Sequence, residues 1–182
     1  QQLILRKECH EPAWDEVQII HIKLSAFSFK DDSFKDWLLE LVENERLDAE
    51  QVWFDLYDCS EIENIHAAAD MMKHLMAKGF HFCLDHFGTS RSPFSLLKAL
   101  PVDMIKIDES FMLSMNDDDA DESAADSISE VAHYLGKEVI ACSVDTAICF
   151  QRMKQLDIDY VQGTTVSEYC NLDVVIAPLV GG

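Results

Sequence analysis

Basic residues are scarce in this chain: fourteen Lys and Arg stand against thirty-four Asp and Glu, a formal net charge of −20 at pH 7 over 182 residues. So acidic a surface repels a phosphate backbone unless its few cations are clustered, and here they are scattered, so DNA and RNA are excluded as expected partners. Glycine-rich phosphate loops are missing too. The six glycines form neither G-x-G-x-x-G nor the Walker pattern, and Gly88 stands alone after its apolar run, which excludes nucleotide cofactors held in that way. No apolar run approaches the roughly 18 residues of a membrane span, and none of the runs in this segment reads as a signal peptide. The expectation is a cytoplasmic protein with no direct membrane contact from this segment. The six cysteines, Cys9, Cys59, Cys83, Cys142, Cys149 and Cys170, show no C-x-x-C spacing. Several sit in apolar runs, where a reduced thiol packs as a small hydrophobe.

Hydrophobic residues make up 48% of the chain, enough to fill the core of a single domain over residues 1–182. Short β-rich apolar runs at 17–24, 51–57, 81–85, 104–107, 139–142 and 159–162 alternate with helical patterns. Asp32 or Ser33 caps a helix with Phe34, Trp37, Leu38, Leu41 and Val42 on one face, and Ser60 with Glu63 forms a capping box for the next. Ser92 and Pro93 open a short helix, Ala124, Ile128, Val131 and Leu135 give a later one its inward face, and Asp145 or Thr146 caps the last. The run from Asp117 to Glu122 reads as a solvated loop or an acidic first helical turn.

Strands alternating with helices mean a parallel sheet covered by helices, either an open doubly wound sheet or a closed barrel. Several strands end in polar residues, which favours an α/β barrel with its site at the C-terminal rim. The stretch from His81 to Ser90, completed by 101–108, is central: each half is an apolar run that delivers charged groups at its end, with Asp85, His86 and Lys106 at the mouth of a pocket.

The run Leu84-Asp85-His86-Phe87-Gly88-Thr89, then Leu96-Leu97-Lys98-Ala99-Leu100-Pro101-Val102-Asp103 and Ile105-Lys106-Ile107-Asp108-Glu109-Ser110-Phe111, is similar to the hallmark segment of EAL domains, the bacterial cyclic di-GMP phosphodiesterases. That segment reads D-D-F-G-T-G-Y-S-S-L, then L-K-x-L-P-V-D-x-x-K-I-D-x-S-F. Flanking matches follow in order: Ile22-Lys23-Leu24-Ser25 for V-N-L-S, Phe54-Asp55-Leu56-Tyr57 for L-E-I-T, the run from Val139 to Thr146 for V-V-A-E-G-V-E-T, and Val161-Gln162-Gly163 for V-Q-G-Y. The resemblance covers nearly the whole chain.

It implies a TIM-type (β/α) barrel of the EAL kind, with the namesake Glu-Ala-Leu strand lying before Gln1 and the chain an N-terminally incomplete single domain. It also implies a site in which hard oxygen ligands hold two divalent metals that activate water against a phosphodiester. Measured against that pattern the ligand set is altered. Lys23 replaces a metal-binding Asn, Asp55 shortens a Glu, His86 replaces an Asp beside the retained Asp85, Cys142 replaces a Glu, and Asp145 shortens another, while Lys106 and Gln162 remain. Lys23 is expected to pair with Asp85 or Asp55 and to repel a dication.

The expectation is therefore a degenerate, catalytically inactive domain with no metal or other cofactor, acting in cyclic di-GMP signalling as a nucleotide receptor or as a scaffold for a protein partner or homodimer. The alternative is a residual phosphodiesterase that uses magnesium or manganese. If the dinucleotide binds, Lys23, Arg91, Lys106 and Gln162 are its expected contacts, with Glu168 and Tyr169 altering the guanine pocket. Ser92-Pro93-Phe94 in place of Y-S-S-L resembles the FimX-type branch that regulates type IV pili. Asp55, Asp85, His86 and Cys142 are also a donor set of the kind zinc accepts. The preferred reading of them is a disused pocket in which His86 hydrogen-bonds Asp85 while Lys23 competes for the space.

Overall fold

The structure, a computed structural model, describes residues 19–44, 47–57, 59–89, 93–114 and 119–166. Expectations for Arg91, Ser92, Glu168 and Tyr169 fall outside those residues. Six strands form one parallel sheet: β1 (Ile20–Ser25), β2 (Val52–Tyr57), β3 (His81–Phe87), β4 (Met104–Ile107), β5 (Glu138–Ala141) and β6 (Tyr160–Val161), lying side by side in that order. The helices between them are α1 (Asp32–Glu43), α2 (Ile65–Met76), α3 (Pro93–Ala99), α4 (Glu109–Ser114), α5 (Asp119–Tyr134) and α6 (Ala147–Met153).

Strand order decides between the two architectures left open above. Each crossover advances the chain one place in the same direction, so there is no reversal and no switch point of the doubly wound kind. Parallel crossovers of one hand then put every helix on one face and curl the other face inward, as in a TIM-type α/β barrel.

Side-chain parity follows from the period of two along a strand. Val52, Phe54 and Leu56 on β2, Phe82 and Leu84 on β3, Ile105 and Ile107 on β4, and Val139 and Ala141 on β5 all join the core beneath the helices. Trp53, Cys83, Met104 and Ile140, one residue out of phase, form a second cluster in the barrel interior. Each fully buried Leu, Ile or Phe of the outer core contributes about 1.5–3 kcal/mol. The interior cluster is a floor; Asp55, Asp85 and Lys106 stand above it on the same strands, with Lys23 beside them on β1.

Several local expectations change. Asp31, not Asp32 or Ser33, caps α1, its carboxylate accepting from Ser33 N at 3.0 Å. Asn64 caps α2 in place of the box expected from Ser60 and Glu63, because a 3-10 turn at Cys59–Glu61 uses up the residues the box needed. Glu63 instead accepts from Lys30. On α5 the inward residues are Ala125, Ile128, Ser129 and Ala132, whereas Val131 is exposed: the helix lies against β4 and β5, where small side chains permit close approach. Trp37 is exposed on α1, and Trp53 lies inside the barrel. Thr146 caps α6 by accepting from Cys149 N.

Candidate functional site

The C-terminal ends of the strands surround a cavity of about 490 Å³. Lys23 and His21 reach it from β1, Asp55 from β2, Asp85 and His86 from β3, Lys106 and Ile107 from β4, with Asp108, Cys142, Ser143 and Gln162 on the following turns and Glu109 at the start of α4.

Two ion pairs organise its floor, each spanning an intervening strand. Lys106 on β4 donates from Nζ to Oδ2 of Asp55 on β2, passing over the buried Cys83 of β3. The other oxygen, Asp55 Oδ1, lies 2.7 Å from His21 Nδ1. Burial pushes the Asp55 carboxyl up, but the hydrogen bonds from His21 and Lys106 outweigh it and hold the group below the ordinary carboxylate range. Burial likewise favours neutral Lys106, and the Asp55 carboxylate reverses that, so its ammonium titrates above the ordinary lysine value. An ionised Asp55 can only accept, which places a hydrogen on His21 Nδ1.

Lys23 and Asp85 form the second pair, Nζ to Oδ2 at 3.1 Å, with the lysine side chain 63% exposed and the aspartate 7%. Asp85 Oδ1 accepts from the backbone N of His86 at 3.0 Å. Asp85 Oδ2 has no hydrogen-bond partner; among the described residues no other buried side-chain nitrogen or oxygen is left so.

Both Asp85 and His86 face the cavity, although consecutive residues of a regular strand point to opposite sides. The pairing of β3 with β4 shifts register between Leu84 and Phe87, and His86 takes φ +54°, the left-handed region that a non-glycine residue adopts only when its surroundings hold it there. Its holder is Asp108, whose Oδ2 lies 2.8 Å from His86 Nδ1. The expected ring contact to Asp85 is longer, 3.8 Å from Nε2 to Oδ2, so Asp108 and not Asp85 is the hydrogen-bond partner of the imidazole. Burial raises Asp108, but Ser110 and His86 hydrogen bonds outweigh it and keep the carboxyl below its usual range. Gly88 has φ +106°, and a Cβ there would lie 2.6 Å from the Phe111 ring, so the turn that follows His86 requires glycine.

A matching device stands on the other side. Ser143, at φ +56°, donates from Oγ to Glu109 Oε2 at 2.9 Å. One corner, Asp108 and Glu109, thus holds the two left-handed residues of the rim. Burial pushes the Cys142 thiol up to about 12, and the thiol of Cys83 also stays well above its ordinary value because of burial. Neither sulfur is a thiolate near neutral pH. Gly163 packs so closely on Val144 that a Cβ would lie 2.5 Å from its backbone N and O, and this contact sets the position of Gln162 at the cavity wall.

Of the site residues expected from the sequence, Lys23, Asp55, Asp85, His86, Lys106, Cys142 and Gln162 come together. Asp145 does not line the cavity: its Oδ1 accepts from Thr164 N at 2.7 Å and Thr164 Oγ1 at 2.9 Å. Sequence reasoning missed His21, Asp108, Glu109 and Ser143. His21 shares strand parity with Lys23, and Asp108 and Glu109 directly follow the β4 run, so the signal for those three was present.

The EAL domain profile matches residues 5–169. The chain belongs to the EAL domain family. Among curated relatives, this EAL domain is 28% identical over 147 residues to the cyclic di-GMP phosphodiesterase PdeB of Shewanella oneidensis, a match covering 81% of this chain and 17% of PdeB. It is 26% identical over 147 residues to the cyclic di-GMP phosphodiesterase PdeA of Borreliella burgdorferi, covering 81% of this chain and 22% of PdeA. The chain therefore spans about a fifth of the length of these relatives. Its fold matches the crystal structure of the EAL domain of Mycobacterium smegmatis DcpA with a TM-score of 0.84 at 23% identity, over 98% of this chain and 82% of that one. The FimX EAL domain from Pseudomonas aeruginosa bound to c-di-GMP matches with a TM-score of 0.76 at 25% identity, over 82% of this chain and 62% of that one. Among the described residues, no helix is long and apolar enough to cross a membrane.

Proposed function

We propose that this EAL domain is a non-hydrolytic regulatory module of cyclic di-GMP signalling in the cytoplasm, which receives the dinucleotide in the cavity and passes its occupancy to a partner protein or a second copy. The observation that carries the reading is the ammonium of Lys23, which stands where the family pattern has a metal-binding Asn and lies 3.1 Å from Oδ2 of the retained Asp85.

The metals implied by the family pattern do not fit this donor set. Magnesium and manganese require several hard oxygen ligands. Here Asp55 is committed to Lys106 and His21, Asp85 faces Lys23, Cys142 offers a protonated sulfur, and His86 is turned to Asp108. Among the described residues no cluster of three or more His, Cys, Asp and Glu is arranged to hold a metal ion. An ammonium close to a carboxylate also opposes a dication directly. What the residues do offer is a shaped cavity with a half-exposed lysine, Gln162 and polar rim groups, which suits binding. The likeness to a FimX EAL domain solved with c-di-GMP supports the receptor reading. The pilus branch rests on the Ser92-Pro93-Phe94 resemblance alone.

The test is incubation with cyclic di-GMP and Mn²⁺ followed by chromatography. Intact dinucleotide is the expected result, and linear product at a rate comparable with PdeB would overturn the reading. A second reading, residual hydrolysis using magnesium or manganese, is favoured by one feature, the unsatisfied Asp85 Oδ2, and the same assay decides it. Calorimetry with cyclic di-GMP separates a receptor from a scaffold that binds only protein.

A further inference from the structure

Asp85 Oδ2 is a buried acceptor with the Lys23 ammonium beside it but no aligned hydrogen bond. A carboxylate oxygen removed from water without a hydrogen bond is costly, and such atoms in folded proteins call for a physical reason. The Asp85 side chain is 7% exposed and lines the cavity. Its other oxygen is satisfied by His86 N. Lys23 Nζ is near at 3.1 Å yet is not aligned as a hydrogen bond. On the opposite side His86 Nε2 lies at 3.8 Å, with Nδ1 turned to Asp108.

A ligand group that settles here meets one donor, the Lys23 ammonium, and one acceptor, Asp85 Oδ2. A phosphate oxygen has no proton for Asp85 and is repelled by it. An ammonium is repelled by Lys23, and so is a metal dication. A hydroxyl satisfies both sides, because its oxygen accepts from Lys23 while its proton goes to Asp85 Oδ2. Resting on the receptor reading above, we infer that Asp85 Oδ2 is the acceptor for a ribose 2′-hydroxyl of the bound dinucleotide, with Lys23 donating to the oxygen of that hydroxyl. The position that holds a metal ligand in the family pattern then reads sugar in this chain, and His86, fixed by Asp108, closes the seat from the far side.

The experiment is calorimetry of the whole chain with cyclic di-GMP and with its analogue in which both 2′-hydroxyls are replaced by hydrogen, repeated on Asp85→Asn. Loss of a hydrogen bond to a charged group predicts that the analogue binds roughly ten- to a hundredfold more weakly than cyclic di-GMP. Asp85→Asn should bring the two ligands to within about threefold of each other, since the charged acceptor is gone. If the variant fails to fold, as read by circular dichroism, Asp85→Ala replaces it, with the same narrowing expected from loss of the acceptor. Equal binding of both ligands by the unaltered chain, or full discrimination retained by the variant, overturns the inference and leaves the receptor reading in place. Absence of cyclic di-GMP binding to the unaltered chain at about 100 times a micromolar affinity removes both.

Discussion

The ammonium of Lys23 on β1 reaches across β2 to stand 3.1 Å from Oδ2 of Asp85 on β3. In the same layer Lys106 crosses β3 to Asp55. Strands that are not neighbours are thus tied across the sheet, β1 to β3 and β2 to β4, and the Lys23 tie occupies a carboxylate that the family pattern assigns to metal. The proposed binding without hydrolysis rests on the Lys23 tie, and both ties have consequences for stability.

Removing one member of the buried pair should cost more than the pair contributes. Lys106→Met leaves Asp55 with only His21 as partner, and breaking a buried pair from one side typically costs about 3–5 kcal/mol. Urea denaturation should show that loss. The double variant Lys106→Met with Asp55→Leu should recover most of it, because no uncompensated charge is then left inside.

Acid stability follows from the sign of the shifts. Asp55 and Asp108 titrate below their ordinary range in the folded chain. Their contribution is therefore fully present above the unfolded value of about 3.9 and is lost as pH falls from there through the lower folded values. Lys106 is shifted up, so its contribution holds below about 10.4 and is lost as pH rises through the still higher folded value. Thermal unfolding against pH should show both edges, and Asp108→Asn should soften only the acid one.

Much of the fold was legible because apolar runs and parity are local. The six strands and the barrel class come from runs such as 104–107, whose alternation also puts Lys106 inward. Partners were less legible. His86 turns to Asp108, 22 residues away, because a register shift and a left-handed backbone re-aim it, and neither has a sequence signature at a histidine. Asp145 matched a motif position yet bonds Thr164, since the chain after β6 folds back over Val144. The Ser60 and Glu63 spacing satisfied a capping pattern that a 3-10 turn pre-empted.

Thiol chemistry offers an independent probe of the interior. With Cys142 pushed up to about 12 and Cys83 shifted in the same direction, both should resist alkylation of the native protein at about pH 8 and react once denaturant is added. Mass spectrometry of labelled peptides reads this directly. Fast native labelling at Cys142 would mean an open, hydrated floor.

Close packing at Gly163 makes a sharp mechanical prediction. A methyl group there meets the Val144 backbone at 2.5 Å, so Gly163→Ala must push the chain apart and should destabilise by about 1–3 kcal/mol. The same displacement moves Gln162 off the cavity wall. Weaker cyclic di-GMP binding together with a lowered melting temperature is the expected pairing.

The central claim concerns the seat now faced by Lys23, and manganese titration followed by electron paramagnetic resonance addresses it most directly. With cyclic di-GMP present, free Mn²⁺ should equal added Mn²⁺ throughout, the protein taking up none at concentrations that saturate an active relative. Uptake of two Mn²⁺ per chain, abolished by Asp85→Asn, would contradict the account.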